Sequence, residues 1–307
     1  MLTHRTLFIS LAVAALGAVI AGLFTAILLT RLILQPLAQI TRSSQRIANG
    51  HYDERLPVPN SNELAMMAIN FNQMAEALEQ TEQRRIALIG NVSHELRTPL
   101  TGIEGYLEGM MDGVLPSDAE TYAQMYQEVR RLRRLTDDLQ VLSRVEAGQI
   151  PLNIETFDLL PVIERVTAQL KPQAMAQCLE LITQSGESKI QVCADSDRTA
   201  QILVNLIGNA IRYTPEDGCI TVSVNIKQKM AEVAVQDTGI GIPAAALPHI
   251  FERFYRVDSS RSRSSGGSGI GLTISRHLAW AMGGELIAAS EGAGKGSTFR
   301  FTLPLTH

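Results

Sequence analysis

The sequence predicts a multidomain chain with one transmembrane helix, an all-α middle and a mixed α/β domain at the C-terminus. Three observations predict this order. An uncharged apolar run lies near the N-terminus, apolar residues recur at heptad spacing in the middle, and strand patterns mixed with helices begin near residue 156. The length of 307 residues suggests about two folded domains, at roughly 100–200 residues each.

The composition excludes two broad classes of protein. Hydrophobic residues make up 45% of the chain and the net charge is only −4, so the chain is not intrinsically disordered. A sequence pI near 5.9 argues against a dedicated nucleic-acid-binding protein, which would be basic overall. The three cysteines are too widely spaced for a disulfide framework or a Cys-x-x-Cys metal site, and they suit a reducing compartment.

The apolar run predicts a membrane-spanning helix. No residue from Leu7 to Thr30 is charged. At ~1.5 Å rise per residue this run spans about 36 Å, enough to cross a ~30 Å hydrocarbon core with some tilt. A cleaved signal peptide would have an apolar stretch of only ~7–15 residues. We therefore prefer a membrane span to a signal peptide or a buried core helix.

The charges beside this run predict its orientation. Arg5 precedes it, and Arg31, Arg42 and Arg46 follow it. The positive-inside rule therefore places the C-terminal side in the cytoplasm, in a single-pass protein of the inner membrane. Only about six residues precede the run, so we expect no extracellular sensor domain unless the chain is a fragment.

Two short helices are predicted after the membrane span. The first carries apolar residues at 3- and 4-residue steps and ends near Asn49-Gly50, where glycine favours a helix cap. An extended connector with two prolines follows at His51–Asn62. A second heptad run comes next. Because two short helices cannot bury coiled-coil seams alone, we expect a second chain to pair with them. The seam residues are Leu37, Ile40, Ile47, Leu64, Met67, Phe71, Met74 and Leu78.

A long helical hairpin is predicted from about residue 85. Its first helix ends at Asp112-Gly113, and Ser117 and Glu120 then have the capping-box spacing that opens a second helix. Two apolar stripes mark the helices. They are Ile89, Val92, Leu96, Leu100, Ile103, Leu107 and Met110, and then Met125, Val129, Leu132, Leu139, Leu142 and Val145.

The second hairpin helix contains a basic cluster. Four arginines occupy positions 130, 131, 133 and 134, and Asp137 and Asp138 follow at once. The mixed charge favours a solvated helix face over a nucleic-acid patch.

His94 lies on the first hairpin helix, two residues from Val92 and two from Leu96. At about 100° per residue, two steps place it about 200° from the apolar stripe, so the sequence predicts an exposed imidazole. An isolated surface histidine usually has no function. A zinc motif is excluded, because the residue four positions on is Thr98 and not a second histidine.

The C-terminal half predicts strands at Thr221–Ile226, Met230–Gln236 and Ser297–Leu303, with helices at Arg198–Tyr213 and Leu272–Met282. The first of these helices has a polar face opposite its apolar residues. The residues on the polar face recur at 3- and 4-residue steps: Asn205, Asn209, Arg212 and Tyr213.

Two glycine clusters flank these elements. Asp237–Ile242 directly follows a predicted strand, where glycines allow the backbone to approach a ligand closely. It matches a nominal dinucleotide pattern, which we discount because Pro243 follows and no βαβ unit surrounds it. Gly267–Leu272 precedes a predicted helix, and backbone N–H groups at such a start form an anion site. The alternative interpretation of Gly267–Leu272 is a flexible linker, but a linker does not explain the helix predicted directly after it.

Taken in order, these motifs resemble those of bacterial two-component sensor histidine kinases. His94 lies in a match to the H box, and Asn205–Thr214 matches the N box. The two glycine clusters match the G1 and G2 boxes, and Phe251–Arg256 matches the F box. The paired helices after the membrane span resemble a HAMP module. The resemblance covers roughly residues 31–305.

The resemblance implies four domains. Residues 1–30 would be a short N-terminus and transmembrane helix, and residues 31–84 a HAMP-like linker. Residues 85–150 would form a dimerisation and histidine phosphotransfer domain, a four-helix bundle between two chains. Residues 151–307 would form a catalytic ATP-binding domain, an α/β two-layer sandwich of the Bergerat fold.

The resemblance also implies the nucleotide-site residues. Asp237 would accept a hydrogen bond from the adenine amino group, and Asn209 would ligate Mg²⁺ through its amide oxygen, a hard ligand. A serine-rich span from Ser259 would form the ATP lid. Residues flanking the phosphates would be Asn205, Arg212, Tyr213 and Arg256. Gly267, Gly269 and Gly271 would anchor this lid, and the further cofactor-binding residues would be Gly239, Gly241 and Leu272.

The same resemblance implies the chemistry and the partners. His94 would attack the γ-phosphate of ATP, and Glu95 would orient or take up its other ring proton. The phosphoryl group would pass to an aspartate of a response regulator, and Thr98 would orient a water for dephosphorylating it. The expected partners are a second copy of the chain, the regulator and the membrane through residues 7–30, with no nucleic acid.

Two alternatives remain open. A dimeric scaffold could bind nucleotide without transferring phosphate, although His94, Asn209 and Asp237 are all present. The second alternative is an ATP hydrolase of the same ATP-binding fold, although such an enzyme needs no exposed histidine on a bundle helix.

Overall fold

The computed structural model describes residues 2–59, 62–146, 148–186, 188–257 and 268–306. Gly267 and the serine-rich segment from Ser259, both expected at the ATP lid, lie outside the described residues. The chain divides into two compact units, residues 1–90 and residues 91–307, and each is described by itself.

The described part of the first unit is helical on both sides of one connector. The stretch Ala15–Ala48 is long and apolar enough to cross a membrane, with a mean hydropathy of 2.1. None of its apolar window is buried, unlike the core helix of a soluble protein. The predicted helix end is confirmed, because Gly50 follows with a φ of +91°. The elements are α1 (Leu2–Leu29), a π-helical segment (Thr30–Leu34), α2 (Gln35–Ala48) and the first part of α3 (Asn62–Met111).

The connector between α2 and α3 is fixed by side chains of both helices. The Asn72 amide accepts a hydrogen bond from the Leu56 N–H at 2.8 Å and donates one to the Leu56 carbonyl at 2.9 Å. Ser43 donates to Glu54 at 2.9 Å, and Arg46 pairs with the same carboxylate at 3.0 Å. The two Asn72 bonds satisfy both backbone groups of Leu56, in a segment that has no strand partner.

The heptad positions divide between an internal core and an exposed face. Ile47 and Phe71 are buried together with Leu56, Ala68 and Ala75. Such a division leaves an apolar surface that a second chain could cover. Its exposed members are Leu37, Met67, Met74 and Leu78.

The hairpin of the second unit consists of the C-terminal part of α3 followed by the whole of α4 (Ala119–Glu146). The predicted cap of α4 is wrong by one residue. Asp118, and not Ser117, accepts a hydrogen bond from the Thr121 N–H at 2.9 Å. That backbone bond lowers the pKa of the Asp118 carboxyl, because it stabilises the charged form. A carboxylate at this position also interacts favourably with the helix dipole.

In the rest of the second unit, the described residues form a five-stranded mixed sheet, a two-stranded sheet and three helices. The larger sheet has the order β2-β4-β5-β7-β6, in which only β2 and β4 are parallel neighbours. The smaller sheet pairs β1 with β3. The elements are β1 (Glu155–Asp158), α5 (Leu159–Ala176), β2 (Glu180–Ser185), β3 (Gln191–Ala194), α6 (Ser196–Tyr213), β4 (Cys219–Lys227), β5 (Met230–Asp237), α7 (Gly271–Ala281), β6 (Leu286–Ala289) and β7 (Ser297–Pro304).

Helices α5, α6 and α7 pack side by side and against the larger sheet, which confirms the predicted two-layer α/β sandwich. The predicted α6, α7, β4, β5 and β7 are confirmed to within about two residues at each end. The core between the layers is built from buried aliphatic residues and from Phe299 and Phe301. Among them are Ile163, Ile202, Leu206, Ile207, Val222, Val233, Val235, Leu278 and Phe301.

Candidate nucleotide and phosphotransfer sites

The first glycine loop, residues 237–242, begins where β5 ends. Asp237 is 6% exposed. Its Oδ1 accepts hydrogen bonds from the Gly239 N–H at 2.8 Å and from the Ser297 N–H at 3.2 Å. Its Oδ2 accepts from the Ser297 hydroxyl at 2.5 Å. These bonds hold the carboxylate in one orientation at the end of the strand.

Ser297 supports Asp237 from the neighbouring strand. Antiparallel pairing of β5 with β7 places Ser297 directly opposite Asp237. Ser297 was not among the predicted site residues, because only strand pairing brings these two positions together across 60 residues of sequence. The available signal was the Gly296-Ser297 step at the start of the last predicted strand.

A glycine-rich turn, residues 290–296, packs against the first glycine loop. The Gly294 N–H donates to the Ile240 carbonyl at 2.6 Å, and the Gly296 N–H donates to the Gly239 carbonyl at 3.0 Å. The Ser290 hydroxyl donates to the Gly296 carbonyl at 2.7 Å. The first glycine loop is therefore held by backbone hydrogen bonds to this turn.

An added side chain at Gly241 would directly disturb this packing. The φ of Gly241 is +69°, and a Cβ there would overlap the Gly292 carbonyl oxygen. On the ATP contact that the sequence resemblance implies for this loop, we expect Gly241→Ala to weaken ADP binding about tenfold or more, because a disfavoured φ and a displaced turn each cost ~1–2 kcal/mol. Calorimetric titration of the chain with ADP measures this change.

The matched control is Gly186→Ala, since an added Cβ there meets nothing within 4 Å. We expect its ADP affinity to equal that of the wild type. Equal affinity of the Gly241→Ala variant would contradict the close packing of the two turns.

Helix α6 extends between the first glycine loop and α7. Near its end, the Tyr213 carbonyl accepts from the Ile240 N–H at 3.0 Å. Two turns earlier, the Asn205 side-chain amide donates to the Ser275 hydroxyl of α7 at 2.8 Å. About 12 Å of helix separates these contacts, and Asn209 lies midway between them.

The polar face predicted for α6 is present in the structure. Asn205, Asn209 and Arg212 are half-buried and Tyr213 is exposed. The opposite face is buried in the core: Leu206, Ile207 and Ala210. The polar side chains therefore lie on the solvent side of the helix, between its contacts with the first glycine loop and with α7.

The second glycine loop, described over residues 268–271, leads into α7. Gly269 has a φ of +70°, and its carbonyl accepts from the Phe254 N–H at 3.0 Å. A side chain at Gly271 would overlap the Asn205 amide, so glycine lets α7 begin directly against α6.

The start of α7 has the properties of an anion site. Ile270, the residue before it, provides no side-chain cap, so the first backbone N–H groups of α7 can bind an anion. Leu272 lies in this first turn and is half-buried, as is Arg256, two residues after Phe254.

His94 lies on α3 and is exposed, as predicted. Thr98, one turn later, is also exposed, and its hydroxyl donates to the His94 carbonyl at 3.3 Å. Glu95 faces α4, where its carboxylate lies 3.8 Å from the Arg131 guanidinium. In this structure Glu95 therefore forms an ion pair with Arg131 between the two helices of the hairpin.

The basic cluster of α4 is only partly solvated. Arg131 was predicted to lie on a solvated face, but its side chain is only 16% exposed and lies 4.0 Å from Glu128 as well as near Glu95. Glu128 and buried Leu135 lie three and four residues away, so Arg131 shares the inner face of the helix. The other three arginines are exposed as predicted: Arg130, Arg133 and Arg134.

Helix α4 also contacts the second glycine loop. It packs against α7, and Asp138 accepts a hydrogen bond from the Ser268 hydroxyl at 2.8 Å. Burial raises the pKa of Asp138, an effect that outweighs the opposing influences of the Ser268 bond and of Arg134. The loop is thus attached to the hairpin through a carboxylate whose charge is costly to bury.

The raised pKa of Asp138 predicts a pH-dependent stability. The folded chain binds this proton more tightly than the unfolded chain, so this contribution to stability falls as pH rises above the ordinary value of 3.8. Asp138→Asn keeps an oxygen acceptor for Ser268 and removes the charge. We expect its apparent melting temperature at pH 7 to equal or exceed that of the wild type, with the difference shrinking toward pH 4.

Scanning fluorimetry between about pH 4 and pH 8 measures this difference. Asp137→Asn is the comparison, because Asp137 is exposed and its charge is a lesser cause of the raised pKa of Asp138; we expect a smaller increase in melting temperature than for Asp138→Asn. A lower melting temperature for Asp138→Asn at neutral pH would contradict the prediction.

The structure brings most of the predicted nucleotide-site residues together around α6. Asp237 and Gly239 border one end of the helix, and Asn205 and Gly271 meet near the other. The phosphotransfer candidates lie apart on the hairpin. Over the described ranges, no hydrogen bond or ion pair links His94 to either glycine loop.

Three family models match successive parts of the chain. The HAMP domain model matches residues 28–80, and the His Kinase A (phospho-acceptor) domain model matches residues 84–148. The model of the histidine kinase-, DNA gyrase B- and HSP90-like ATPases matches residues 194–307.

Similar proteins agree with these matches. The signal transduction histidine-protein kinase BaeS of Escherichia coli (strain K12) is 35% identical over 95% of this chain, which spans 62% of that protein's length. The Acinetobacter baumannii histidine kinase AdeS is similar in structure, with a TM-score of 0.59, 28% identity, and coverage of 70% of this chain and 98% of that one. Full-length ShkA in complex with AMPPNP gives a TM-score of 0.54, 26% identity, and coverage of 72% and 46%.

One class of protein accounts for all of these observations: the fold, the glycine loops around α6, the exposed histidine and the family matches. The chain belongs to the two-component sensor histidine kinase family. It spans about three fifths of the length of curated relatives such as BaeS.

Proposed function

We propose that this chain is a membrane-anchored sensor histidine kinase that phosphorylates its own His94 from ATP. The phosphoryl group then passes to an aspartate of a response regulator. One observation carries the proposal: an exposed histidine on the hairpin occurs in the same chain as a glycine-bordered site around α6. The phospho-acceptor and ATPase family models match these two regions separately, which supports the division of labour.

The nucleotide would lie along α6, with its base at the first glycine loop and its phosphates toward α7. Asp237 is an acceptor suited to the adenine amino group, because its carboxylate is already oriented by Gly239 and Ser297. Gly241 would let the backbone approach the base. The phosphates would meet the α7 N–H groups near Gly269, Gly271 and Leu272, flanked by Asn205, Arg212, Tyr213 and Arg256.

Asn209 would hold Mg²⁺ through its amide oxygen. It lies midway along α6, and an amide oxygen is a hard ligand suited to a hard cation. In the described part of the chain, no cluster of three or more His, Cys, Asp or Glu residues could hold a metal. This fits an ion that takes most of its ligands from phosphate oxygens and water. When bound, the ion supplies charge neutralisation at the phosphates.

The proposed chemistry is an in-line displacement at the γ-phosphorus. A ring nitrogen of His94 forms the N–P bond while the bond from phosphorus to the leaving oxygen breaks, and ADP departs. A neutral imidazole is nucleophilic, and its second ring proton needs an acceptor or an orienting group as charge develops. We assign that role to Glu95, whose present contact is Arg131.

We also propose a phosphatase activity toward the regulator. Thr98 is exposed one turn from His94, so its hydroxyl could orient a water on the same surface of α3. The hydroxyl bonds to the His94 carbonyl at 3.3 Å, a weak contact that a water-binding geometry could replace.

The active form is proposed to be a homodimer. The hairpin exposes large apolar side chains that a four-helix bundle would cover. Met111, for example, is 85% exposed. The others include Leu100, Leu107, Tyr122, Tyr126 and Val129.

The proposed domains are residues 1–30, 31–84, 85–150 and 151–307. The boundary at 84/85 lies inside the continuous helix α3, so the helix would change its packing partners there without a break. We propose the inner membrane as the location, with the span near residues 7–30 and the catalytic part in the cytoplasm. Nucleic acid is not among the proposed partners.

The test is incubation of the chain with γ-labelled ATP and Mg²⁺. We expect an acid-labile, base-stable label on the chain that transfers to a purified receiver domain. A chain that binds nucleotide but never becomes labelled would be the scaffold. Phosphate release without labelled protein would indicate the ATP hydrolase.

A further inference from the structure

Arg276 of α7 lies between two aromatic rings. The carbon of its guanidinium is 4.9 Å from the centroid of the Phe251 ring and 4.5 Å from that of Trp280. Its Nε is buried and has no hydrogen-bond partner among the described residues. The guanidinium therefore contacts π faces where arginine usually meets carboxylates.

Two hydrogen bonds also attach the segment 251–256 to α7 and the second glycine loop. The Thr273 hydroxyl of α7 donates to the Phe251 carbonyl at 2.8 Å. The Phe254 N–H donates to the Gly269 carbonyl at 3.0 Å. Phe254 has a φ of +60°, which is disfavoured for a phenylalanine and persists only when the surroundings enforce it.

We propose that Arg276 is a positioning residue for ATP: by contacting both Phe251 and Trp280, it fixes the segment 251–256 beside the second glycine loop. This inference rests on the proposed function, since the segment includes Arg256 and the loop borders the proposed phosphate site. Arg276 itself acts through Phe251 and does not contact the nucleotide in this scheme.

The contact with two aromatic rings distinguishes arginine from its closest replacements. A planar guanidinium can stack on two rings at once, whereas the compact ammonium of lysine can face only one well. Methionine matches the length and apolar character of the side chain but has no charge. The affinity for nucleotide should therefore follow the order arginine, lysine, methionine.

The test compares Arg276→Met and Arg276→Lys in the 307-residue chain in nanodiscs. We expect Arg276→Met to raise the Kd for ADP and the KM for ATP about tenfold. Arg276→Lys should raise both constants about threefold, between the wild type and Arg276→Met. The autophosphorylation rate at saturating ATP should stay within about twofold, because positioning affects binding more than the chemical step. A merely structural defect would lower that rate in proportion to the folded fraction and leave KM unchanged.

Trp280 supplies a second readout and a matched control. It is the only tryptophan in the chain, so intrinsic fluorescence reports on this cluster. His277 contacts the Trp280 ring at 5.3 Å between centroids. We expect His277→Gln to change the fluorescence and leave the ADP affinity unchanged, whereas Arg276→Met changes both.

The outcomes separate this inference from the proposed function. Wild-type ADP binding with unchanged affinity in both Arg276 variants would overturn the positioning role and leave the kinase proposal intact. Absence of nucleotide binding by the wild-type chain would overturn both. If Arg276→Met does not fold, the KM measured for Arg276→Lys decides the question.

Discussion

His94→Gln is expected to abolish the phosphoryl label on the chain, with a loss of more than about 100-fold. The reason is chemical. An imidazole nitrogen can form an N–P bond, whereas the glutamine amide nitrogen is not nucleophilic at neutral pH. His94 is exposed on α3, so its replacement leaves no cavity and no unsatisfied buried group. The measurement is the label retained after incubation with γ-labelled ATP and separation from free nucleotide.

Nucleotide affinity provides the control for this variant. The described hydrogen bonds of the glycine loops do not involve His94. We therefore expect the Kd for ADP to stay within about twofold of the wild type. An undiminished label on His94→Gln would refute the assignment of His94. Loss of the label together with loss of ADP binding would point to a folding defect.

Sequence patterns located the long and periodic elements of this chain. α6, for example, has strong 3.6-residue periodicity and a polar face, β7 alternates over its full length, and β5 alternates except at buried Ala234. The elements that were not predicted are α5, β1, β2, β3 and β6. Most are strands of four to six residues, too short for alternation to be distinguished from chance. α5 contains Pro172, which weakens a helix pattern.

Contacts between distant positions were harder to predict than elements. Asp237 could be singled out from its glycine-rich neighbours, but its partner Ser297 depends on strand pairing across the sheet. Arg131 was grouped with its solvated neighbours because charge runs are usually exposed. Its contact with Glu95 depends on how α3 and α4 face each other, which local periodicity does not determine. The Asp138–Ser268 bond joins positions 130 residues apart and has no local signal at all.

Asp237→Asn is expected to weaken ATP binding by about 100-fold or more. As a carboxylate, Asp237 only accepts hydrogen bonds, and an adenine amino group only donates. The asparagine Oδ1 can keep the bonds from the Gly239 and Ser297 N–H groups, so the first glycine loop should retain its shape. The new NH₂ group then faces both the Ser297 hydroxyl and the adenine amino group. Because the asparagine NH₂ and the adenine amino group both donate, the complex loses a charge-assisted hydrogen bond worth ~1.5–3 kcal/mol. One buried N–H donor is also left without an acceptor.

The same substitution predicts a change in base preference, which separates lost recognition from lost folding. Inosine triphosphate carries a carbonyl where ATP carries the amino group, so it can accept from the asparagine NH₂. We expect the ratio of ATP to inosine triphosphate affinity to fall below one in Asp237→Asn, from well above one in the wild type. Ser297→Ala removes only the bond to Oδ2, and should cost about fivefold in ATP affinity without inverting that ratio. Calorimetric titrations with both nucleotides provide the measurement. An Asp237→Asn chain that still prefers ATP would show that the base is recognised elsewhere, because an asparagine whose Oδ1 is held by the Gly239 and Ser297 N–H groups presents only a donor to the base.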